Sequence, residues 1–499
     1  MSTVSDEKVR LSHDLSEGEK VAIGLRKAKV MKCLESLGMH CDQDNIPNIT
    51  LLASGGALRA MVSLQGTLVE MKQQGLLDAI LYLYGVSGST WCMSYLYKDR
   101  EWTEHLQDLE KKLCQTLVES SWDKNKAIST VVEASKEEHY SLTDFWVSFM
   151  IYKILHKFDE SGLSEQKTSL ESGKNPYPIY AAADNKRLNK GHESLPETWF
   201  EFTPHEAGYP AVGAFINTSL FGSDFENGEL KVKKKEKTIC YLEGLWGSAL
   251  GNIKEIKKLL QESLTEFFKG SGEKEKDHVS PNPESPNVHF TAVEEKERSA
   301  ISLFFAPVLD AHRVTTKTAA CLLSWTWGTT SNFLYKCPNI KSTDMVKDKV
   351  TSFIDAGLAI NSAYPLALRP ERKVKLILSF DFSSGDPFET IKKTVKYCQA
   401  NKIPFPKVDE EKLKDTDNPS DCYIFTGVNV PTVMHFPLFN NINCSGKIAD
   451  YRKKYSTFTS SYPKEDIQEL LKVAKMNVTN NAQKILEEIK QLVASSTNP

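Results

Sequence analysis

The sequence predicts an α/β fold with a mainly parallel central sheet. Residues 48–91 pass from an apolar strand pattern through an amphipathic helix to a second strand pattern. A further strand pattern, KLILSFDF, recurs at Lys375–Phe382. Strands that alternate with helices form right-handed crossover units and pair in parallel. At 499 residues, the chain can hold one large α/β domain with insertions.

The crossover unit begins with the apolar, β-branched run Ile49–Ala53, which ends at Ser54-Gly55-Gly56. A helix is expected next, because large apolar residues recur with helical spacing at Met61, Leu64, Leu68 and Met71. The second strand is expected at Ile80–Tyr84. Chemistry in parallel sheets collects at the carboxyl ends of the strands, so the turns after both strands are candidate functional positions.

The second turn reads Gly85-Val86-Ser87-Gly88-Ser89. Glycines on both sides of Ser87 allow a sharp strand-to-helix turn that exposes a serine hydroxyl, as in a nucleophile elbow. Ser89 stands where the strict pattern has a glycine, and such a string alone is often an ordinary turn. Its place after an apolar strand and beyond a first glycine turn favours Ser87 as a nucleophile.

Composition narrows the classes of protein. The net charge of −3 gives no bias toward nucleic acid. Ten cysteines are spread singly without metal-ligand spacing, which indicates a reducing compartment and no zinc site. No metal and no cofactor are expected. The start of the chain has no apolar signal segment, and no apolar run approaches the ~18 residues that span a bilayer. We therefore expect a cytoplasmic protein.

The remaining segments are predicted in chain order. Residues 1–16 are expected to be flexible and to precede a helix that Ser16 and Glu19 cap. Residues 100–345 are interpreted as insertions that form a helical and irregular cap, with packed irregular loops over Asn175–Phe221 and a mobile loop over 269–298. Lys231–Lys237 is expected to protect a hairpin edge, with contact to anionic lipid as the alternative. Pro463–Val493 is expected to be helical.

A serine nucleophile needs a base and donors for the oxyanion. The turn at Gly55-Gly56-Ala57 opens a helix and can supply backbone N–H groups. Two bases remain open from the residues alone. His435, in an apolar setting, would complete a triad, whereas Asp355, which follows the apolar run Val350–Ile354, would act directly in a Ser-Asp dyad.

Several ordered motifs carry a resemblance to a known family. The chain is similar to the group IV cytosolic phospholipase A2 family, a relative of the patatin-like lipases, over roughly residues 17–460. The motifs that carry the resemblance are Gly55–Arg59 (GGALR), Gly85–Trp91 (GVSGSTW), Asp355–Asn361 (DAGLAIN), Trp246–Gly251, Trp327–Tyr335 and Ser379–Phe382.

The resemblance implies a three-layer α/β-hydrolase-like fold in a single catalytic domain over residues 17–495. It implies cleavage of glycerophospholipid acyl esters with Ser87 as the nucleophile and Asp355 as the general base. Arg59 would bind the substrate phosphate. The oxyanion would be bound by backbone amides, those of Gly56, Ala57 and Gly88.

Three departures from the family pattern shape the expectation. Ala57 replaces a family glycine, and a left-handed alanine would cost roughly 1–2 kcal/mol. The best-known members carry an N-terminal calcium-binding C2 domain, whereas the hydrolase motifs here begin within about fifty residues of the start, so no C2 domain and calcium-independent action are expected. The last cysteine is Cys444, so no C-terminal prenylation box is expected and membrane contact should be peripheral and reversible.

The expected partners are phospholipid and lysophospholipid substrates, transiently met at a membrane surface, with no nucleic acid. Lysophospholipase and transacylase activity stay open, because an acyl-serine can pass its acyl group to water or to another alcohol. Two alternatives remain. One is a catalytically weakened lipid-binding protein of the same fold, and the other is a carboxylesterase with a triad built on His435.

Overall fold

The computed structural model describes residues 7–119, 121, 123–248, 311–457 and 459–497. Within these ranges, twelve strands form one mixed sheet and two strands form a separate hairpin. The strands are β1 (Arg10–Leu11), β2 (Asn48–Ala53), β3 (Tyr82–Gly85), β4 (Tyr177–Asp184), β5 (Trp199–Phe202), β6 (Glu206–Tyr209), β7 (Ala214–Asn217), β8 (Asp224–Glu226), β9 (Glu229–Val232), β10 (Thr329–Ser331), β11 (Val350–Asp355), β12 (Val374–Asp381), β13 (Tyr423–Phe425) and β14 (Thr432–Pro437).

The centre of the sheet is parallel, with the order β14-β12-β2-β3-β4. β2 and β3 end level with each other, because Ala53 is paired with Gly85. The central sheet and its first crossover unit are as predicted, and β12 covers nearly all of the predicted run Lys375–Phe382. Both glycine turns therefore leave the same edge of the sheet.

Antiparallel strands extend the sheet on both sides. β5, β6, β7 and β1 follow β4 in that order, and β13 closes the other edge beside β14. β11 pairs antiparallel with the last residues of β4, and β10 pairs with β11. Because β11 is antiparallel to β4, it approaches the edge of the sheet that carries the two glycine turns from the opposite direction to β3.

The prediction of irregular loops over Asn175–Phe221 is wrong, since this stretch contains β4 to β7. All eight residues of β4 are buried, as are all four of β5. A strand buried on both faces shows no alternation of apolar and polar residues. The Pro, Gly and aromatic residues that suggested loops lie in the tight turns and in the core between these short strands.

Helices flank the sheet. They are α1 (Glu17–Ser36), α2 (Ala57–Gln73), α3 (Gly88–Leu96), α4 (Leu106–Glu119), α5 (Lys124–Ala134), α6 (Leu142–Trp146), α7 (Tyr152–Leu155), α8 (Asn185–Asn189), α9 (Ile239–Trp246), α10 (Ala311–Ser324), α11 (Thr343–Val346), α12 (Tyr364–Ala367), α13 (Glu389–Asn401), α14 (Ile448–Lys454) and α15 (Lys464–Thr497). A π-helical segment, Val147–Ile151, joins α6 to α7.

The helix that carries the first glycine turn is central to the packing. Every residue of α2 from Ala57 to Met71 is buried. α15 packs along it, and a Cβ on Gly66 would lie 3.0 Å from the carbonyl oxygen of Leu471. The predicted C-terminal helix over Pro463–Val493 is therefore confirmed, and it packs against α2, the helix of the crossover unit.

The other predictions have mixed outcomes. Residues 1–16 are predicted to be flexible, but Arg10–Leu11 forms an edge strand that pairs with β7. The Arg10 side chain also donates two hydrogen bonds to the Glu206 carboxylate. The predicted mobile loop over 269–298 lies outside the described residues. The lysine-rich run Lys231–Lys237 begins in strand β9 of the β8–β9 hairpin, as expected. The apolar run that follows it forms α9.

Glu19 does more than its predicted role in a helix cap. The hydroxyl of Ser16 accepts the Glu19 N–H at 3.0 Å, as predicted. The Glu19 carboxylate, however, accepts hydrogen bonds from Arg372 and from the hydroxyl of Tyr82. Arg372 also pairs with Glu201 at 2.7 Å, and both side chains are almost fully buried. This network joins α1, β3 and β5 to the segment that precedes β12.

Candidate active site

The turn between β3 and α3 has the backbone of a nucleophile elbow. Ser87 has φ 53° and ψ −126°, a strained conformation for a non-glycine residue. Gly85 and Gly88, which flank Val86-Ser87, leave little room for a side chain. A Cβ on Gly85 would lie 2.4 Å from the sulfur of Met93, and one on Gly88 would lie 1.9 Å from the carbonyl oxygen of Ala57. The Ser87 side chain therefore stands between two turns that touch.

Ser89, which replaces the last glycine of the strict elbow pattern, connects these two turns. Its hydroxyl donates to the carbonyl oxygen of Ser54 at 2.6 Å. The departure from the glycine pattern thus supplies a hydrogen bond between the end of β2 and the start of α3. The sequence pattern marked the position but did not reveal this contact.

The turn after β2 presents unpaired backbone donors. Gly56 has φ 154° and Ala57 has φ 50°, so the alanine that replaces a family glycine does take a left-handed backbone. Among the described residues, none accepts a hydrogen bond from the N–H of Gly56, Ala57 or Gly88. These N–H groups belong to the N-terminal ends of α2 and α3, where partial positive charge favours an anion.

Asn361 holds this turn from two sides. Its carbonyl oxygen accepts the Gly55 N–H, and its Nδ2 donates to the Gly55 carbonyl oxygen, both at 3.1 Å. A Cβ on Gly55 would lie 2.5 Å from Asn361 Oδ1 and 2.8 Å from Ser87 Cβ. Asn361 lies in the DAGLAIN motif, but sequence reasoning assigned it no role.

The register of β4 brings Asp355 toward Ser87. β5 occupies one side of β4, so β3 and β11 share the other side. There, Gly85 at the end of β3 is paired with Tyr180, and Asp355 at the end of β11 is paired with Ala182. The two strands thus meet end to end, about 7 Å apart along β4.

Asp355 is fully buried at this junction. Its Oδ1 accepts the Gly357 N–H at 2.8 Å, and its own N–H donates to the hydroxyl of Ser248 at 3.2 Å. A Cβ on Gly357 would lie 3.6 Å from Val86, which precedes Ser87. The turn after β11 therefore packs against the elbow, so the turns that carry Ser87 and Asp355 lie side by side.

Arg59 lies on the first turns of α2 and is 1% exposed. Its Nε donates to the Phe382 carbonyl oxygen at 2.6 Å, and Nη1 donates to the Tyr455 carbonyl oxygen at 2.5 Å and to the hydroxyl of Thr457 at 3.3 Å. Burial lowers the pKa of Arg59 to about 10, so it stays a cation at neutral pH. Among the described carboxylates, none forms an ion pair with it. A buried cation held by neutral oxygens is suited to an anionic ligand.

Ser87, Arg59, Gly56 and Asn361 line a common cavity of about 240 Å³. The cavity opens at the carboxyl edge of the parallel strands, where the sequence predicted the chemistry. Of the predicted site residues, Ser87, Arg59 and Gly56 line its wall, and the turn after Asp355 contributes through Gly357.

The structure does not support a triad built on His435. This histidine lies on β14, and β12 and β2 separate that strand from β3. Its Nε2 lies 2.7 Å from the carbonyl oxygen of Pro387, and its Nδ1 lies 3.3 Å from the hydroxyl of Ser379. Burial lowers the pKa of His435, which is consistent with a neutral, packed imidazole. Both ring nitrogens are thus occupied away from Ser87.

Comparison with known proteins identifies the family to which the chain belongs. The lysophospholipase catalytic domain family matches residues 49–498. Since the match spans most of the chain, the chain belongs to this family and is a lipid hydrolase.

Within that class, the predicted resemblance to the group IV cytosolic phospholipase A2 family is confirmed. Human cytosolic phospholipase A2 gamma is 40% identical, over 97% of this chain and 96% of the relative. The mouse protein of the same name is 36% identical, over 97% of this chain and 92% of the relative. The solved structure of human GIVD cytosolic phospholipase A2 superposes with a TM-score of 0.74 at 25% identity, over 99% of this chain and 69% of that chain. The same human protein has also been solved in complex with methyl gamma-linolenyl fluorophosphonate.

No helix among the described residues is long and apolar enough to cross a bilayer.

Proposed function

We propose that this chain hydrolyses the fatty acyl esters of glycerophospholipids and lysophospholipids through a Ser-Asp dyad. The observation that carries the proposal is the end-to-end meeting of β3 and β11 on one side of β4. It sets Asp355 beside the elbow that holds Ser87, with unpaired N–H groups from two helix N-termini facing the same turn.

The first half of the reaction forms an acyl-enzyme. Ser87 Oγ attacks the ester carbonyl carbon while the Asp355 carboxylate accepts the serine proton. The carbonyl oxygen becomes an oxyanion, which the N–H groups of Gly56, Ala57 and Gly88 stabilise. The carbon–oxygen bond to the glycerol then breaks, and the leaving alkoxide takes the proton from Asp355. The acyl group stays on Ser87.

The second half releases the acyl group. A water molecule gives its proton to Asp355 and attacks the acyl carbonyl carbon, and Ser87 recovers its proton as the fatty acid leaves. A lysophospholipid hydroxyl in place of water would give acyl transfer, so transacylase activity belongs to the same mechanism. Arg59 binds the substrate phosphate and thereby positions the ester. Protein groups fill each of these roles, which supports calcium-independent action.

We place the enzyme in the cytoplasm, in transient contact with membranes. β11 begins beyond the catalytic edge, and Val350 at its start is 39% exposed. Val232, at the end of the nearby hairpin, is 52% exposed and is followed by several lysines. Exposed apolar side chains surrounded by lysines support weak, reversible binding to anionic lipid.

The left-handed backbone of Ala57 favours a second candidate, a lipid-binding protein of the same fold with weakened catalysis. The strain at this residue falls on a proposed oxyanion donor. Such a protein would bind lipid vesicles without releasing fatty acid.

Release of labelled fatty acid distinguishes the two candidates. The substrates are phosphatidylcholine and lysophosphatidylcholine vesicles, each with calcium and with a chelator. We expect wild type to release fatty acid equally with calcium and with the chelator, and Ser87→Ala to release none. The matched control is Ser94→Ala. Ser94 lies on α3, which Ser87 precedes, and its hydroxyl donates to the carbonyl oxygen of Thr90. Vesicle binding without release by folded wild type would select the lipid-binding candidate. Release that survives in Ser87→Ala would exclude Ser87 as the nucleophile.

A further inference from the structure

The cavity beside Ser87 is suited to the polar half of a lipid. Leu358 is the only large apolar side chain among the described residues that line it. Part of the wall is formed by the segment Ser383–Gly385 and by Glu389 and Lys393 of α13. An acyl chain would gain little from such a surface, whereas a headgroup would find charged and hydrogen-bonding partners.

Three charged side chains line the cavity, and they differ in depth. Arg59 is buried, as described above. Glu389 and Lys393 form an ion pair at 2.9 Å with side chains that are 59% and 42% exposed. Exposed pairs of this kind stabilise a helix only slightly, so a charged ligand can replace either partner. The pair therefore lies at the mouth of the cavity, with Arg59 at its inner end.

The mouth is fixed in place relative to Ser87. Arg59 bonds to the carbonyl oxygen of Phe382, directly before the segment Ser383–Gly385. Asn361, which holds the Gly55 turn, donates to the hydroxyl of Ser383 at 2.9 Å. The hydroxyl of Thr390, next to Glu389, donates to Asp381 at the end of β12. The charged pair is thus tied to the same elements that build the catalytic turns.

We propose that Glu389 and Lys393 form a subsite for an ammonium headgroup, as in choline or ethanolamine phospholipids. Arg59 and Lys393 share the phosphate, and the Glu389 carboxylate pairs with the ammonium group beyond it. Glu389 is the only carboxylate among the described residues that line the cavity. It attracts a zwitterionic headgroup and repels the second negative charge of a phosphate monoester. This subsite rests on the proposed function and adds the class of headgroup to it.

The test compares two substrates that differ only in headgroup. Monomeric lysophosphatidylcholine and lysophosphatidic acid with the same acyl chain are hydrolysed by the full chain, and the ratio of their kcat/KM values is measured. Glu389→Gln should lower this ratio about fivefold, and Glu389→Lys more than tenfold, as expected for a partly exposed charge contact. Lys393→Gln should lower kcat/KM for both substrates, because both carry the phosphate.

Two matched variants control for a change of charge alone. Glu411→Gln removes a carboxylate from a similarly exposed pair with Lys414, away from the cavity. Lys392→Gln removes a cation beside Lys393 that pairs with Asp386 and does not line the cavity. Both should keep the wild-type ratio. An unchanged ratio in Glu389→Gln and Glu389→Lys would overturn the subsite.

Failure of the subsite and failure of the proposed function give different results. Fatty acid release that persists in Ser87→Ala argues against the function, whatever the headgroup ratio. Calorimetric binding of glycerophosphocholine, which has no acyl ester to cleave, tests the subsite without turnover. Wild type should bind it several-fold more tightly than Glu389→Gln does. Equal affinity would overturn the subsite even in an active enzyme.

Discussion

At the scale of single residues, the site depends on side chains that hold backbone as much as on those that react. Asn361 bonds to both the N–H and the carbonyl oxygen of Gly55, and so fixes the peptide that leads into the Gly56-Ala57 turn. Arg59 similarly bonds to two backbone carbonyl oxygens while it lines the cavity. Each therefore combines a structural contact with a position in the wall of the cavity beside Ser87.

Asn361 is predicted to act as a positioning residue. Asn361→Ala should lower kcat by about 10- to 100-fold with little change in KM, because the oxyanion donors lose their fixed orientation. The rate of fluorophosphonate labelling should fall in parallel. Asn401→Ala, which removes bonds to the carbonyl oxygens of Ser194 and Tyr397, is the control. Equal kcat values in wild type and Asn361→Ala would contradict the assignment.

Arg59 is predicted to recognise phosphate. Arg59→Ala should reduce kcat/KM on lysophosphatidylcholine at least ~10-fold more than on monoacylglycerol, which lacks the phosphate. Arg26→Ala controls for the loss of a buried arginine, because Arg26 is also held by backbone carbonyl oxygens and burial also lowers its pKa to about 10. Parallel losses on both substrates in Arg59→Ala would make Arg59 a structural residue.

At the scale of elements, the start of α2 has a strained backbone. Ala57 has φ 50° at the first position of the helix, and it is buried. The strain is retained because packing around α2 and the bond pattern at Gly55 determine the turn. A glycine adopts this backbone without the clash of a Cβ.

Ala57→Gly is therefore predicted to stabilise the fold. The relief of about 1–2 kcal/mol of strain exceeds the entropic cost of a glycine in the unfolded chain, so the free energy of unfolding should rise by about 0.5–1 kcal/mol. Urea unfolding measures this change. A variant that is less stable than wild type would mean that the alanine methyl group contributes packing that outweighs the strain. A gain of fatty acid release in Ala57→Gly, from a silent wild type, would favour the weakened-catalysis candidate.

Elements with a local signal were predictable, and those defined by distant pairing were not. β2, α2, β3 and β12 have apolar runs, helical spacing or glycine turns within one short stretch. β4 and β5 are buried along their whole length, β6 and β7 nearly so, and all four lack that signal. The placement of Asp355 depends on which side of β4 accepts β11, and nothing in the local sequence encodes that side. Motif resemblance favoured Asp355 over His435, whereas the contacts of Asn361 and the bond from Ser89 to Ser54 required the structure.

At the scale of the whole molecule, buried polar groups connect the distant parts of the chain. Arg372 joins Glu19 of α1 to Glu201 of β5. Nearby, His205 stacks on Tyr177, and its Nδ1 lies 2.8 Å from the tyrosine hydroxyl. Gly18 of α1 lies so close that a Cβ there would be 2.1 Å from the His205 ring. The N-terminal helix thus packs against the His205 imidazole, which is partly buried.

Acid is predicted to weaken this docking. Burial lowers the pKa of His205 from 6.5 to about 4, so between these values the unfolded chain binds a proton that the folded chain does not. Stability is unaffected by this group above pH 6.5 and falls as the pH drops toward 4, by about 3 kcal/mol at most. Urea unfolding at pH 7 and pH 4.5 should show a smaller loss in His205→Gln than in wild type. An identical loss in both would remove His205 from the acid response.

The central claim is that Ser87 reacts because Asp355 accepts its proton. The most direct measurement is the rate at which a fluorophosphonate labels the folded protein, with the modified residue located by peptide mass spectrometry. We predict an adduct on Ser87 in wild type, labelling at least ~10³-fold slower in Asp355→Asn, and near wild-type labelling in Asp184→Asn, a buried strand-end carboxylate on the neighbouring β4. An adduct on another residue, or Asp355→Asn labelled as fast as wild type, would contradict the dyad.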